Sequence, residues 1–219
     1  MSCCAILVAA GSSRRMGFDK LAAPLAGMPV LRRSLEAFLK ASSISSIIVV
    51  APQDRFMALL AGNFSKPILR VDGGESRQDS VQNGLAAVPV GTTLVAIHDG
   101  ARPLISPDAI DHCVAAAAQH GGAALAHPAT ETLKRADENG FSRESVDRQR
   151  LWFMETPQAF QLPLILRAYA EVNRQCGVVT DEVSALELIG HATLLIDAGR
   201  PNLKITHPSD LALAEALLK

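Results

Sequence analysis

Aromatic side chains are scarce in this chain. Seven Phe, one Tyr and one Trp make up 4% of its 219 residues, too few for the stacked-ring platforms on which single-stranded nucleic acids bind. Positive charge is not in excess either. The 21 Lys and Arg stand against 22 Asp and Glu, a net charge of −1, which argues against a broadly basic face for nucleic acid or an anionic membrane. Any anion site must therefore be built locally. No apolar run approaches the roughly 20 residues of a membrane-spanning helix. The N-terminus has no basic flank followed by an apolar stretch and a cleavage site. Cysteine is limited to positions 3, 4, 113 and 176, with no C-x-x-C pair. That spacing suits neither a zinc site nor a disulfide framework, and fits small buried thiols in a reducing cytosol. The expectation is a soluble, cytoplasmic protein with neither nucleic-acid nor membrane partners.

What is plentiful is aliphatic side chain, within a hydrophobic share of 48%. A core of Ala, Leu, Ile and Val is the composition of a parallel sheet covered by helices. Short apolar runs predict strands at Cys3–Ala9, Ile44–Val50, Ile68–Val71, Leu94–His98, Ala123–His127 and Thr193–Ile196. Helical spacing predicts Pro29–Lys40, Ser76–Ala87, Leu162–Asn173, Asp181–Leu188 and a terminal helix from Pro208. A further helix, capped by Ser106 and opened by Pro107, runs through Ala115–Ala118. This alternation predicts an α/β fold in a single domain over 1–219, a mostly parallel twisted sheet with helices on both faces. The rhythm breaks between Pro128 and Arg150, where the chain is polar. A projecting two-stranded arm over 129–150 fits, with strands Thr132–Arg135 and Ser145–Arg148 and a turn at Asp137–Gly140. An isolated hairpin is marginal, so the arm is expected to pack on another subunit.

The strongest local signal follows the first strand directly: Ala9, Ala10, Gly11, Ser12, Ser13, Arg14, Arg15, Met16, Gly17, Phe18, Asp19, Lys20. Gly11 permits a tight turn whose backbone N–H groups can face an anion. Arg14, Arg15 and Lys20 concentrate positive charge as a triphosphate requires. The loop is neither G-x-G-x-x-G nor G-x-x-x-x-G-K-[ST], which excludes a dinucleotide fingerprint and a Walker A loop. On physics alone it also fits a surface turn with ordinary basic residues.

The pattern A-A-G-x-x-x-R-M followed by lysine resembles the nucleotidyltransferases that activate sugar and polyol phosphates. In that superfamily the lysine commonly follows a proline; here it follows Asp19. Other segments narrow the resemblance. Asp72 to Val81 resembles the G-G-x-x-R-x-x-S-V segment of the 2-C-methyl-D-erythritol 4-phosphate cytidylyltransferases, and His98 to Pro103 resembles their H-D-x-A-R-P segment. Thr132-Leu133-Lys134, Val146-Asp147-Arg148, Thr156-Pro157-Gln158, Thr180-Asp181-Glu182 and Lys204-Ile205-Thr206 follow in the same order.

That resemblance implies a Rossmann-like nucleotidyltransferase fold and transfer of CMP from CTP to 2-C-methyl-D-erythritol 4-phosphate in isoprenoid precursor biosynthesis, with release of pyrophosphate. It assigns Ala9 to Arg14 to the triphosphate, and Gly73, Gly74, Glu75 and Ser80 to cytosine. Asp99 and Gly100 fall where nucleotide and substrate meet, and Asp99 is the candidate ligand for Mg²⁺ or another divalent cation. Arg15 and Lys20 are the expected catalytic cations at the α-phosphate and leaving group, with Arg148 and Lys204 orienting the attacking phosphate. Arg102, Thr132, Thr180 and Asp181 complete the substrate contacts. Thr132 and Arg148 would reach a partner's site from the arm, making the protein a homodimer.

Taken without the family, several of these residues have plainer readings. Gly73-Gly74 fits a turn, and Arg148 a solvated charge. Thr180-Asp181 fits a helix N-cap, and Arg102 an ion pair that holds its loop. His98 reads as a satisfied strand-end histidine rather than a base. Two other functions share the pattern: a cytidylyltransferase for ribitol 5-phosphate or another pentitol phosphate, and a non-catalytic CTP-binding regulator.

Overall fold

Strand β1 (Cys3–Val8) dictates a sheet covered on both sides. Its side chains alternate, so Cys3, Ala5 and Leu7 enter one buried cluster while Cys4 and Ile6 enter another. The computed structural model describes residues 2–11 and 16–218. In it β1 lies inside a seven-stranded sheet. Parallel neighbours β4 (Ile44–Val50) and β6 (Leu94–Asp99) flank β1, and β5 (Ile68–Val71) pairs in parallel with β4. Beyond β6, β10 (Trp152–Gln161) runs antiparallel to both β6 and β7 (Gly122–Pro128). At the edge, β11 (Leu194–Ile196) pairs in parallel with β7.

Helices α1 (Val30–Lys40), α4 (Pro107–His120) and α7 (Pro208–Leu217) bury residues in the cluster that holds Leu7. Helices α3 (Arg77–Ala86), α5 (Leu162–Arg174) and α6 (Glu182–Glu187) serve the cluster that holds Ile6. Each fully buried Leu, Ile or Phe contributes about 1.5–3 kcal/mol of transfer free energy, so neither layer is dispensable. Ser106 caps α4 by accepting from the Ala109 N–H at 3.2 Å, and Pro107 opens the helix. Ser76 and Asp79 form a capping box on α3.

The structure corrects the sequence reading in particular places. Strand β10 was not expected, because Glu155, Thr156, Pro157 and Gln158 interrupt its apolar run. Helix α2 (Gln53–Leu59) was also missed, being short and without a fully buried residue. A two-residue ladder, β2 (Pro24–Leu25) with β3 (Met28–Pro29), precedes α1. The arm strands are β8 (Leu133–Ala136) and β9 (Ser142–Val146), a separate antiparallel pair. The return strand thus begins earlier than Ser145. The reason is the turn: Asp137 accepts from the N–H groups of Asn139 and Phe141, and Gly140 takes φ of +84°, so the chain reverses and pairs at once. No helix among the described residues is long and apolar enough to cross a membrane.

At the end of β6, His98 is fully buried. Its Nε2 faces the Arg102 carbonyl at 3.2 Å, which can only accept, so Nε2 carries the proton. Nδ1 then accepts from the Thr156 hydroxyl at 3.0 Å, whose oxygen also accepts from the Asp99 N–H. This is a structural histidine, as the sequence suggested. Burial, opposed by Asp99 and reinforced by Arg102, lowers its pKa to about 4. In the unfolded chain it titrates near 6.5. Between those values the unfolded state binds more protons. His98 therefore stabilises the fold fully above pH ~6.5 and loses that contribution as pH falls toward 4. As pH falls through this window the wild type should lose more stability to urea than a His98→Asn variant, by up to roughly 3 kcal/mol.

Candidate active site

The carboxyl ends of β1 and β6 meet the segment after β5 at one sheet edge, where open α/β sheets bind ligands. A cleft of ≈650 Å³ opens there. Ala9, Ala10 and Gly11 line it from the turn after β1, and Gly74, Glu75 and Ser80 from the start of α3. Lys20, Arg77, Asp99 and Lys204 complete its charged lining. The fold thus brings together candidates spread over almost the whole sequence. Ser12, Ser13, Arg14 and Arg15 lie outside the described residues.

Asp99 is the hub. It ends β6, is buried, and carries three cations: Lys204 Nζ at 2.7 Å, Arg77 Nε at 3.1 Å and Arg102 Nε at 3.9 Å. Burial alone would raise its pKa. The Arg77 guanidinium and then the Lys204 ammonium overcome that and hold the carboxyl well below the usual carboxylate range. Asp99 is therefore ionised throughout the physiological range. Lys204 is held in place by its own segment. The Ile205 N–H donates to the Ala101 carbonyl at 2.8 Å, and Asp210 accepts from the N–H groups of Thr206 and His207. From the opposite wall, the Lys20 ammonium donates to the Ile205 carbonyl at 2.7 Å.

Arg102 has a bracing role. Its guanidinium donates to the carbonyls of Asn202 at 2.7 Å and Met154 at 3.2 Å, tying the segment before Lys204 to β10. Gly73 and Gly74 let the chain approach itself. A Cβ on Gly73 would stand 2.3 Å from Ala10 Cβ, and one on Gly74 2.2 Å from Asp79 Cβ. Ser80 holds this turn, accepting from the Gly74 N–H and donating to the Ser76 carbonyl. Gly100 is needed for close packing, since a Cβ there would meet Leu31 at 2.7 Å.

Thr180 and Asp181 precede α6. Asp181 caps that helix through the Ser184 N–H at 3.0 Å, which is the plain N-cap reading, and Thr180 stays exposed. Thr132 and Arg148 lie exposed on the arm and do not line the cleft of their own chain. Arg148 donates to the Thr130 carbonyl, within the arm.

Sequence reasoning gave no role to the polar scaffold behind Asp99. Glu182 is fully buried at the start of α6. It takes Arg77 in a two-pronged ion pair at 2.8 and 3.0 Å and accepts from the Tyr169 hydroxyl at 3.1 Å. Burial disfavours the Arg77 charge, yet Glu182 and Asp99 more than compensate and raise its pKa. Gln158, buried on β10, accepts from the N–H groups of Glu182 and Val183 and so satisfies the start of α6. A signal was present, because the motif segments carrying Arg77 and Glu182 offer opposite charges. Nothing in the sequence says that they pair.

Among the described residues, no three His, Cys, Asp or Glu side chains gather into a metal cage. The cleft does present the carboxylates of Asp99 and Glu75. Both Asp99 oxygens are engaged by Arg77, Lys204 and Arg102, so a divalent cation here would take at most one protein carboxylate and draw its other ligands from outside the protein.

Comparison with known proteins agrees with this geometry. A family model described as IspD: 2-C-methyl-D-erythritol 4-phosphate cytidylyltransferase matches residues 3–219. A 2-C-methyl-D-erythritol 4-phosphate cytidylyltransferase from Synechococcus sp. (strain CC9902) is 43% identical over 219 residues, covering 97% of this chain and 96% of that protein. One from Pelotomaculum thermopropionicum is 40% identical, covering 98% and 93%. The crystal structure of 4-diphosphocytidyl-2C-methyl-D-erythritol synthase from Anaerococcus prevotii superposes with a TM-score of 0.85 at 26% identity, over 99% of this chain and 95% of that one. The Francisella tularensis 2-C-methyl-D-erythritol 4-phosphate cytidylyltransferase gives 0.84 at 28%, over 99% and 100%. The sheet is thus a Rossmann-like nucleotidyltransferase fold.

Proposed function

This chain belongs to the 2-C-methyl-D-erythritol 4-phosphate cytidylyltransferase family, and from that premise we propose its reaction and the residues that run it. It transfers CMP from CTP to 2-C-methyl-D-erythritol 4-phosphate, giving 4-diphosphocytidyl-2-C-methyl-D-erythritol and pyrophosphate. The observation that carries the site reading is the meeting of Lys20, Lys204 and Asp99 in one cleft at the sheet edge, in a protein whose net charge is only −1.

A phosphate oxygen of the polyol attacks the α-phosphorus of CTP. The new P–O bond forms as the bond to the β-phosphate oxygen breaks, and pyrophosphate departs with that electron pair. The attacking phosphate is already anionic near neutral pH, so no general base is needed. The obstacle is repulsion between anions and the growth of charge on the leaving group, and fixed cations and positioning oppose both. Lys20, with Arg15, serves the α-phosphate and leaving group. Lys204 orients the incoming phosphate, exchanging part of its hold on Asp99 for it. Ala9 to Gly11, with Ser12, Ser13 and Arg14, cradle the triphosphate, and the turn at Gly73 to Ser80 receives the base. Asp99 would hold a divalent cation such as Mg²⁺, which would supply further neutralisation of charge. The expected product is a bridged diphosphate ester, visible as two coupled ³¹P resonances. Its absence with CTP, Mg²⁺ and methylerythritol phosphate would count against the reaction, and EDTA should abolish it.

The arm supplies Thr132 and Arg148 to the substrate phosphate in a partner's cleft, and the protein acts as a cytoplasmic homodimer. Exposed apolar side chains at Phe141, Leu151 and Phe153 on and beside the arm support a contact there. Lys20→Ala and Arg148→Ala proteins, each inactive, should regain part of the activity when their subunits exchange. No recovery after verified exchange would place the arm in its own subunit's chemistry.

A further inference from the structure

One side chain outside every recognised motif ties the two ends of the phosphate loop together. Arg55 sits at the start of α2, and its side chain is only 12% exposed. Its Nη1 donates to the carbonyls of Ala9 at 2.5 Å and Gly11 at 3.2 Å, where the loop leaves β1. Its Nε donates to the Asp19 carboxylate at 3.0 Å, where the loop returns beside Lys20. The other Asp19 oxygen accepts from the Leu21 N–H at 3.1 Å. The fold brings Arg55 here without freedom of choice. The Ala9 N–H donates to the Val50 carbonyl and the Ala51 N–H to the Val71 carbonyl, and Pro52 then starts α2.

Two physical requirements of a triphosphate site meet at this side chain. Carbonyl oxygens of the loop must be kept from phosphate oxygens, and Arg55 engages two of them. Asp19 adds a negative charge next to Lys20, and the Arg55 guanidinium is paired with it. A planar guanidinium presents fixed donors on separate nitrogens and so spans acceptors on both segments, whereas an ammonium carries its three donors on one atom. We propose that Arg55 is a positioning residue for the nucleotide: its ion pair with Asp19 and its bonds to Ala9 and Gly11 fix the cleft-lining segments Ala9–Gly11 and Asp19–Lys20 relative to each other. The proposal rests on the reading that the loop holds CTP.

The test is calorimetric titration of CTP with Mg²⁺, beside steady-state kinetics and thermal melts. Arg55→Ala should weaken CTP binding about tenfold, as expected when a binding-competent conformation is no longer pre-formed. The KM for CTP should rise with it, while kcat and the KM for the polyol phosphate change less than about twofold. Arg55→Lys keeps the charge without the fork and should fall between, with a loss of about threefold. Unchanged CTP affinity in Arg55→Ala, or a drop in kcat and melting temperature with no rise in the KM for CTP, overturns the proposal. Absence of CTP binding by the unaltered protein would overturn the reading of the site itself, and the brace with it.

Discussion

Lys20→Ala is expected to lower kcat/KM by roughly 10²–10³-fold, the cost typical of removing one fixed group that stabilises transition-state charge, in a protein that still folds. Lys20 lies on the cleft wall that follows the phosphate loop, and its ammonium is anchored on the Ile205 carbonyl across from Lys204. That anchor matters. A cation already held in place need not be reorganised when charge shifts onto the leaving group. The hydrogen bond to the Ile205 carbonyl is worth about 1 kcal/mol of stability, small beside the expected loss of turnover. Steady-state kinetics paired with a thermal melt separates these effects. Near-normal turnover in the variant contradicts the role given to this lysine.

The largest stability effect is expected at Glu182, which does not itself line the cleft. Glu182→Ala should destabilise the fold by about 3–5 kcal/mol, the usual cost of breaking a buried ion pair by removing one partner. The carboxylate is fully buried, it meets Arg77 through both oxygens, and it accepts the Tyr169 hydroxyl. Truncation leaves a partly buried guanidinium with Asp99 alone and an unpaired hydroxyl. Glu182→Gln keeps the shape and some of the bonding and should cost less. Because Arg77 also holds Asp99, both variants should lose activity at temperatures where they remain folded. Urea unfolding at neutral pH measures the difference, with the m-value unchanged if only stability has moved. A Glu182→Ala protein within 1 kcal/mol of wild type would show that the buried pair is not what steadies the site.

Periodicity made the parallel strands and their covering helices legible, because β1, β4 and β6 are apolar on both faces and α1 and α5 carry clear apolar stripes. Caps were legible for the same local reason, as at Ser106 and Asp181. Strand β10 was not. Its buried residues include Glu155, Thr156 and Gln158, whose partners are His127 on β7, His98 and the Asp99 N–H on β6, and the start of α6, and a pattern of alternating hydrophobicity cannot report a polar group satisfied from elsewhere. The candidate site divides likewise. The motif residues Lys20, Asp99 and Lys204 do converge. The side chains behind them, Arg77 with Glu182 and Arg55 with Asp19, pair only through tertiary structure. Helix α2, which carries Arg55, is short and half exposed and leaves almost no trace in hydrophobic spacing.

The account is tested most directly by pyrophosphate release from CTP and Mg²⁺, with 2-C-methyl-D-erythritol 4-phosphate and ribitol 5-phosphate assayed side by side. It predicts release with the branched polyol phosphate and none above background with ribitol. Release with ribitol alone would keep the cleft chemistry and contradict the substrate. Silence with both, from a folded protein that still binds CTP, would contradict catalysis and favour a nucleotide-binding regulator.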